Sequence, residues 1–323
     1  MFEGCINLLS LPENISLWDT SNVIKMEYLF SKLMAINKIP DISNLNTNKV
    51  IDIQSLFHSC PFLQSLPDIS KWNTSKVNNM NSMFSGCILL KNLPDISNWD
   101  TSNVVDMSKM FMCLKHIISF PDISKWKIQK VTTMEEMFYF CTNLIFLPDI
   151  SNWDLSQVFN LTRIFGECQS LQVLPDISKW NTKNVINMTG MFLNCSSLKS
   201  LPKLDNWNIH NLKDNFRMFE GCNPNFQFPN AKLRPDNRVR IKPICFGNYL
   251  DERINALEIR GGPFGDKMQI IKDPYDMLFF KYDLFNIGQI NNVSNNEFEI
   301  LIPWERFSPI WNELRHHTFN IYE

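Results

Sequence analysis

The sequence predicts a β-rich solenoid of stacked coils over residues 1–229, followed by a small α+β domain or cap over residues 230–323. Two observations carry the first part. Prolines fall at 12, 40, 67, 94, 121, 148, 175, 202 and 229, and every interval is 27 residues except the first, which is 28. A phenylalanine column keeps the same clock: Phe2, Phe30, Phe57, Phe84, Phe111, Phe138, Phe165, Phe192 and Phe219. Nine starts enclose eight complete coils. A fixed period of this length is the mark of a repeat architecture. The second part rests on the loss of that clock after Pro229.

One coil runs from Trp72 through Asn73-Thr74-Ser75-Lys76-Val77, then Met80, Met83-Phe84, Cys87, Leu90 and Leu93-Pro94-Asp95-Ile96-Ser97. Its apolar positions step by three. That is neither the 3.6 period of a long helix nor the alternation of a strand. A flattened coil needs this pattern: a few inward residues per side, joined by turns of Asn, Asp, Ser and Thr. Such a coil cannot bury its apolar face alone, so neighbours stack and equivalent side chains form ladders. Leu90 to Ile96 is expected as one short strand, and Val77 to Met80 as a second extended piece. Met83-Phe84 to Cys87 is expected as a helical or 3-10 corner. Pro94 marks the place where the strand breaks into the turn. Eight intervals at about 4.8 Å give a parallel sheet roughly 38 Å long.

The order Val-x-x-Met-x-x-Met-Phe-x-x-Cys-x-x-Leu-x-x-Leu-Pro-Asp-Ile-Ser-x-Trp resembles the BspA-type leucine-rich repeats. Within them it is most similar to the variant of unknown function found in mycoplasma, other bacterial, protist and some giant-virus proteins. The resemblance covers roughly residues 1–229. It implies a curved leucine-rich-repeat solenoid with a parallel sheet, a role in adhesion or protein–protein contact, and no known catalysis.

Composition sets outer bounds. Lys and Arg number 31 against 33 Asp and Glu, which excludes a global basic field for nucleic acid. A hydrophobic fraction of 44% with 12% aromatics is far from the disordered class. No apolar run approaches a membrane span. The start, Met1-Phe2-Glu3-Gly4-Cys5, has no basic leader region. An intracellular protein is expected, with a surface or secreted location only if an upstream segment is missing.

Three ladders could hold chemistry. Cys60, Cys87, Cys141, Cys168, Cys195 and Cys222 share one slot, which Leu33 and Leu114 fill in other coils. Replacement by Leu marks the slot as apolar, so buried thiols are expected rather than disulfides, and no Cys-x-x-Cys pair suggests zinc. Trp72, Trp99, Trp126, Trp153, Trp180 and Trp207 form a second column, with Leu45 as its apolar substitute. A buried stack is expected there; solvent-facing rings would instead make a carbohydrate platform. Asp41, Asp68, Asp95, Asp122, Asp149 and Asp176 are expected to cap the Ile-Ser turns through backbone N–H groups. No cofactor or metal is expected.

The core slots stay uniform while the positions after Val and between the Met residues vary. Lys25, Asn79, Asp106, Thr133, Glu135, Glu136, Asn160, Arg163 and Asn187 are therefore the candidate interaction surface. A protein partner is expected to dock there. The apolar first coil, entered at Met1-Phe2 with no amphipathic cap, could also support self-association.

After Pro229 the texture changes. Arg238 to Lys242 alternates as a strand with a basic face that could meet phosphate or acidic protein. Ala256–Ile259, Met268–Ile271, Met277–Phe285 and Phe298–Ile302 read as further strands, and Glu305–His317 as a terminal helix. Gly261-Gly262 and Asn291–Asn296 read as turns. The Gly261–Gly265 stretch lacks the Lys-Ser/Thr pair of a phosphate loop. The reading is thus a non-enzymatic interaction scaffold. A carbohydrate-binding adhesin and an enzyme seated in residues 230–323, with His316 and His317 as its candidate groups, are the alternatives.

Overall fold

The computed structural model describes residues 1–215 and 217–222 and, beyond them, six strands. The chain divides into two compact units, Met1–Arg234 and Pro235–Glu323.

In the first unit, coils of 27 residues lie on one another. A continuous column of parallel bridges joins Lys25, Asp52, Asn79, Asp106, Thr133, Asn160, Asn187 and Asp214. The backbone beyond this column alternates between two uses. The N–H groups of Met80, Ser82, Phe84 and Gly86 reach the carbonyls of Asp106, Ser108, Met110 and Met112 in the next coil, at 2.9–3.0 Å. The N–H groups between them turn back three residues, Met83 to Met80, Ser85 to Ser82 and Cys87 to Phe84. Polar backbone is thereby satisfied without a regular helix or strand.

That alternation needs two left-handed residues per coil. The first column is Tyr28, Ser55, Ser82, Lys109, Glu136, Arg163, Gly190 and Arg217, with φ between 48° and 59°. Only Gly190 in it avoids the steric cost of this region. The second column runs Lys32, Ser59, Gly86, Cys113, Phe140, Glu167, Asn194 and Gly221. The stacked hydrogen bonds hold these residues in place, which is how the chain manages with only 10 glycines.

Two sequence expectations are corrected here. The continuous ladder is on the Val-x-x-Met side, not the Leu-x-x-Leu-Pro side. On the proline side the isolated bridge is Lys38 to Ser65, with scattered bonds such as Ile145 N–H to the Ile118 carbonyl. Proline has no N–H to give, which thins the ladder there. The Met-Phe corner is a run of tight turns and not a 3-10 helix. Among the described residues the 3-10 helices are Glu13–Leu17, in the corner after Pro12, and Ile177–Lys179, at a Pro-Asp-Ile-Ser corner.

Side-chain oxygens close three corners in a typical coil. Asp95 accepts from Ser97 N–H at 2.9 Å, Asp100 from Ser102 N–H at 3.0 Å, and Asp106 from Ser108 N–H at 2.7 Å. Inside, the nine phenylalanines form one pile with neighbouring centroids 5.5–6.1 Å apart and planes within 19°.

The second unit contains strands β1 (Arg238–Ile244), β2 (Ala256–Gly261), β3 (Gln269–Lys272), β4 (Gln289–Ser294), β5 (Glu297–Pro303) and β6 (Thr318–Asn320). They form one antiparallel sheet in the order β4-β5-β1-β2-β3-β6. Pro243 lies past Ile241, where the β1–β5 pairing stops, so its missing N–H costs no bond to β5. Asn291–Asn296, expected as a turn, is mostly strand: β4 pairs with β5 through a register irregularity between Asn292 and Ser294. The expected strand Met277–Phe285 and helix Glu305–His317, with His316 and His317, lie outside the described residues.

Candidate functional site

The bridge column was expected to supply variable contact residues, and its geometry shows what limits their variation. The side-chain oxygens of Asn79, Asp106, Thr133, Asn160 and Asn187 accept the N–H two residues on, from Asn81, Ser108, Glu135, Thr162 and Thr189, at 2.7–3.4 Å. All five are half-buried. Their variation is confined to residues that can accept a bond at this place. Lys25 differs: it is exposed and lies 3.4 Å from Glu27.

The next two positions divide sharply. Glu135 accepts from Asn160 Nδ2 at 3.0 Å and stays accessible. Glu136, expected outside, is buried at 8% exposure. Its carboxylate lies 3.8 Å from Lys109 on one neighbouring coil and 3.2 Å from Arg163 on the other. The Arg163 guanidinium also lies 5.7 Å from the Tyr139 ring centroid. Glu136 is a joint between three coils and not a contact residue. Buried Arg163 Nε and Thr189 Oγ1, on adjacent coils, have no partner among the described residues.

One position before the bridge column stand the first of the outward positions after Val, which were not counted among the candidate contact residues. Ile24, Val105, Phe159 and Ile186 are 37–53% exposed. Ile51 is half-buried, and Asn78, Thr132 and Lys213 complete the column. The backbone beneath is a spine: Val105 N–H donates to Asn78, Thr132 to Val105, Phe159 to Thr132 and Ile186 to Phe159, each at 2.8–2.9 Å. A rigid row of large apolar side chains beside Lys109, Glu135 and Arg163 has the anatomy of a contact surface, apolar centre and charged rim. The signal was in the sequence: these apolar residues recur on the clock at a slot the core does not need. Ile118, Phe146 and Val173 make a second, smaller exposed group.

The structural ladders are closed to ligands. Each Trp from Trp72 to Trp207 is buried, and its indole N–H reaches the Ile carbonyl thirty residues back, at 2.9–3.3 Å. No open aromatic platform remains along them. The column thiols donate to Phe carbonyls thirty residues back, at 3.0–3.2 Å. Burial pushes Cys60 and Cys222 up to about 11 and the deeper thiols higher still, so they stay protonated and unreactive at neutral pH.

The Asp column is exposed. The Ser hydroxyl and then the Ser N–H hold Asp68, Asp95, Asp122, Asp149 and Asp176 below the usual carboxylate range; at Asp41 the N–H leads. A depressed folded value contributes stability above the unfolded pKa and loses it as pH falls through the folded one. Thermal melts should therefore keep one midpoint from about pH 7 to pH 5 and fall below about pH 4. A midpoint that drops already between pH 7 and 5 would remove this column as the acid-sensitive element.

A cavity of about 640 Å³ opens at the first coils, lined by Met1, Leu17, Trp18, Val23, Met26, Leu29 and Leu45 among others. Among the described residues, no three His, Cys, Asp or Glu side chains are arranged to hold a metal, and no helix is long and apolar enough to cross a membrane.

Coils of 27 or 28 residues, one set of core slots and one hydrogen-bond scheme define a repeat protein. The chain belongs to the family described as "Mycoplasma protein of unknown function, DUF285", whose model matches residues 1–67, 62–146 and 114–232. Neither a curated protein nor a solved structure matches it.

Proposed function

We propose that residues 1–229 form a leucine-rich-repeat solenoid, and that the protein is a non-enzymatic scaffold gripping a protein partner through its ladder face. The observation that supports this most is the exposed apolar row Ile24, Val105, Phe159 and Ile186 on a backbone hydrogen-bonded at every rung. A rigid row costs little entropy to dock, and its aromatic member is the natural anchor. The partner that fits carries an apolar ridge bordered by polar groups of both signs, to meet Lys109, Glu135 and Arg163. The half-buried Asn and Asp residues of the bridge column hold the row in register.

The test compares full-length protein with a Val105→Asp/Phe159→Asp variant. Both side chains are exposed, so the melting temperature should not move. A partner captured by the wild type and then purified should bind the variant at least about thirtyfold more weakly, as loss of a hot spot implies. Equal binding by the two proteins would exclude the ladder face as the contact surface.

A further inference from the structure

The exposed row of the ladder face has a symmetry that a lone chain does not need. About Val105 as centre, Asn78 mirrors Thr132, Ile51 mirrors Phe159 and Ile24 mirrors Ile186. Apolar answers apolar and polar answers polar at every step. An unrelated partner gives no reason for a mirror in the row. A surface that meets its own copy does, because a two-fold contact must be self-complementary.

A two-fold axis lying in the contact plane and crossing the stack at Val105 reverses the order of rungs and sets each column against itself. Val105 then meets Val105, Ile51 meets Phe159, and Ile24 meets Ile186. Sliding one copy by one rung sets Asn78 against Phe159 in one direction and against Val105 in the other. The other two-fold, with both stacks running the same way, sets exposed Lys213 against Lys213, a like-charge contact. In the reversed arrangement Lys213 lies beyond the seven paired rungs.

The flanking charges fit the reversal. Lys109 and Arg163 share one carboxylate, that of Glu136, at 3.8 and 3.2 Å. Reversal brings Glu135 of the second copy within one rung and one position of Lys109, and Glu27 of the second copy within the same step of Arg163. The two-fold repeats both contacts. Against them, Lys76 faces Lys130 on the other flank, where both side chains are exposed and their repulsion is screened. On the axis Asp106 and Lys109 each meet their own copies, with opposite signs. Six intervals of about 4.8 Å and a strip of about six residues give roughly 600 Å² per copy, the lower limit of a specific interface. The dimer expected is reversible and of micromolar strength.

We propose that the ladder face docks a second copy of this chain, the two stacks running in opposite directions about a two-fold axis at Val105. This rests on the ladder face being a contact surface and names what covers it.

Sedimentation velocity of the full chain at about 100 μM, where a micromolar dimer is nearly complete, should show twice the chain mass. Val105→Asp sets a carboxylate against its own copy at the axis and should leave monomer. Val105→Lys should do the same, and an equal mixture of the two should regain the dimer, which misfolded variants could not do. Oxidative cross-linking reads the direction. Val105→Cys should link to itself above the wild-type background. Ile24→Cys should not, because its own copy stands six rungs away, about 29 Å. Mixing Ile24→Cys with Ile186→Cys should restore the link. The proposal is overturned if wild type is monomeric at this concentration, if the charge mixture stays monomeric, or if Ile24→Cys links to itself. A monomeric wild type whose captured protein partner is still lost by Val105→Asp/Phe159→Asp would exclude the second copy while keeping the ladder face as the contact surface.

Discussion

Replacing Phe111 with Ala should cost about 4–5 kcal/mol, the upper end of the range for a buried phenylalanine. Its ring is fully buried and lies 5.9 Å from Phe84 and 5.6 Å from Phe138 in the central pile. Phe120 and Trp126 close its other sides at 4.8 and 6.2 Å. Aromatic pairs of this kind add about 0.5–1.5 kcal/mol each beyond burial. Neighbouring coils cannot close the gap, because the hydrogen bonds of the ladder fix their separation. Position in the stack matters as much as the residue. A coil touches only its two neighbours, so a lesion in the middle weakens two interfaces at once. Phe2 stands at the first coil, half-buried, with Phe30 and Trp18 as its ring partners. The change Phe2→Ala should cost roughly 1–2 kcal/mol. Urea unfolding of the two variants measures the contrast, and the Phe111→Ala curve should also broaden or split as the halves uncouple. Equal midpoints would mean that the coils do not act as a nearest-neighbour stack.

The period, the core slots and the aspartate turn caps were legible in the sequence because each repeats on one clock and tolerates only like substitutes. Leu33 and Leu114 in the cysteine slot mark it as buried from the sequence alone. The placement of the ladder was not legible. Met80 and Met83 step by three because a left-handed residue, Ser82, lies between them and shortens the path between inward positions. That disguises the hydrogen-bonded side as a turn. The proline side, rich in Leu and Ile, looks more like strand but lacks a donor in every coil.

The candidate surface was misread for a related reason. Asn79, Asp106, Thr133, Asn160 and Asn187 differ in name but share one acceptor role, and a comparison of identities treats them as variable. Glu135 and Glu136 are adjacent and chemically alike; only the left-handed turn at Glu136, with φ 55°, sends one carboxylate outward and the other between coils. Ile24, Val105, Phe159 and Ile186 were read as outward positions after Val, but the candidate surface was drawn from their neighbours, such as Lys25, Asp106, Asn160 and Asn187.

The tryptophan column gives the second large effect, and the chain already contains its own control. Trp126 is 4% exposed, stacks on Phe111, and donates from its indole to the Ile96 carbonyl at 3.1 Å. That carbonyl also accepts the Trp99 backbone N–H at 3.2 Å. Each isoleucine carbonyl therefore joins two coils, and deleting one indole leaves it with a partner. The loss in Trp126→Ala should then come mainly from the emptied ring volume, about 3–5 kcal/mol, while Trp126→Phe, which keeps a ring but not the donor, should lose about 1–2 kcal/mol. In the second coil the slot is naturally filled by Leu45, and Leu45 lines the 640 Å³ cavity beside Trp18. Thirty residues back is Ile15, whose carbonyl accepts the Trp18 N–H at 3.0 Å and is placed to take an indole as well. Leu45→Trp should therefore stabilise the protein by about 1 kcal/mol, as cavity filling does. If Trp126→Phe costs as much as Trp126→Ala, the ring is not what the slot selects for. The column would then be kept for its hydrogen bond alone.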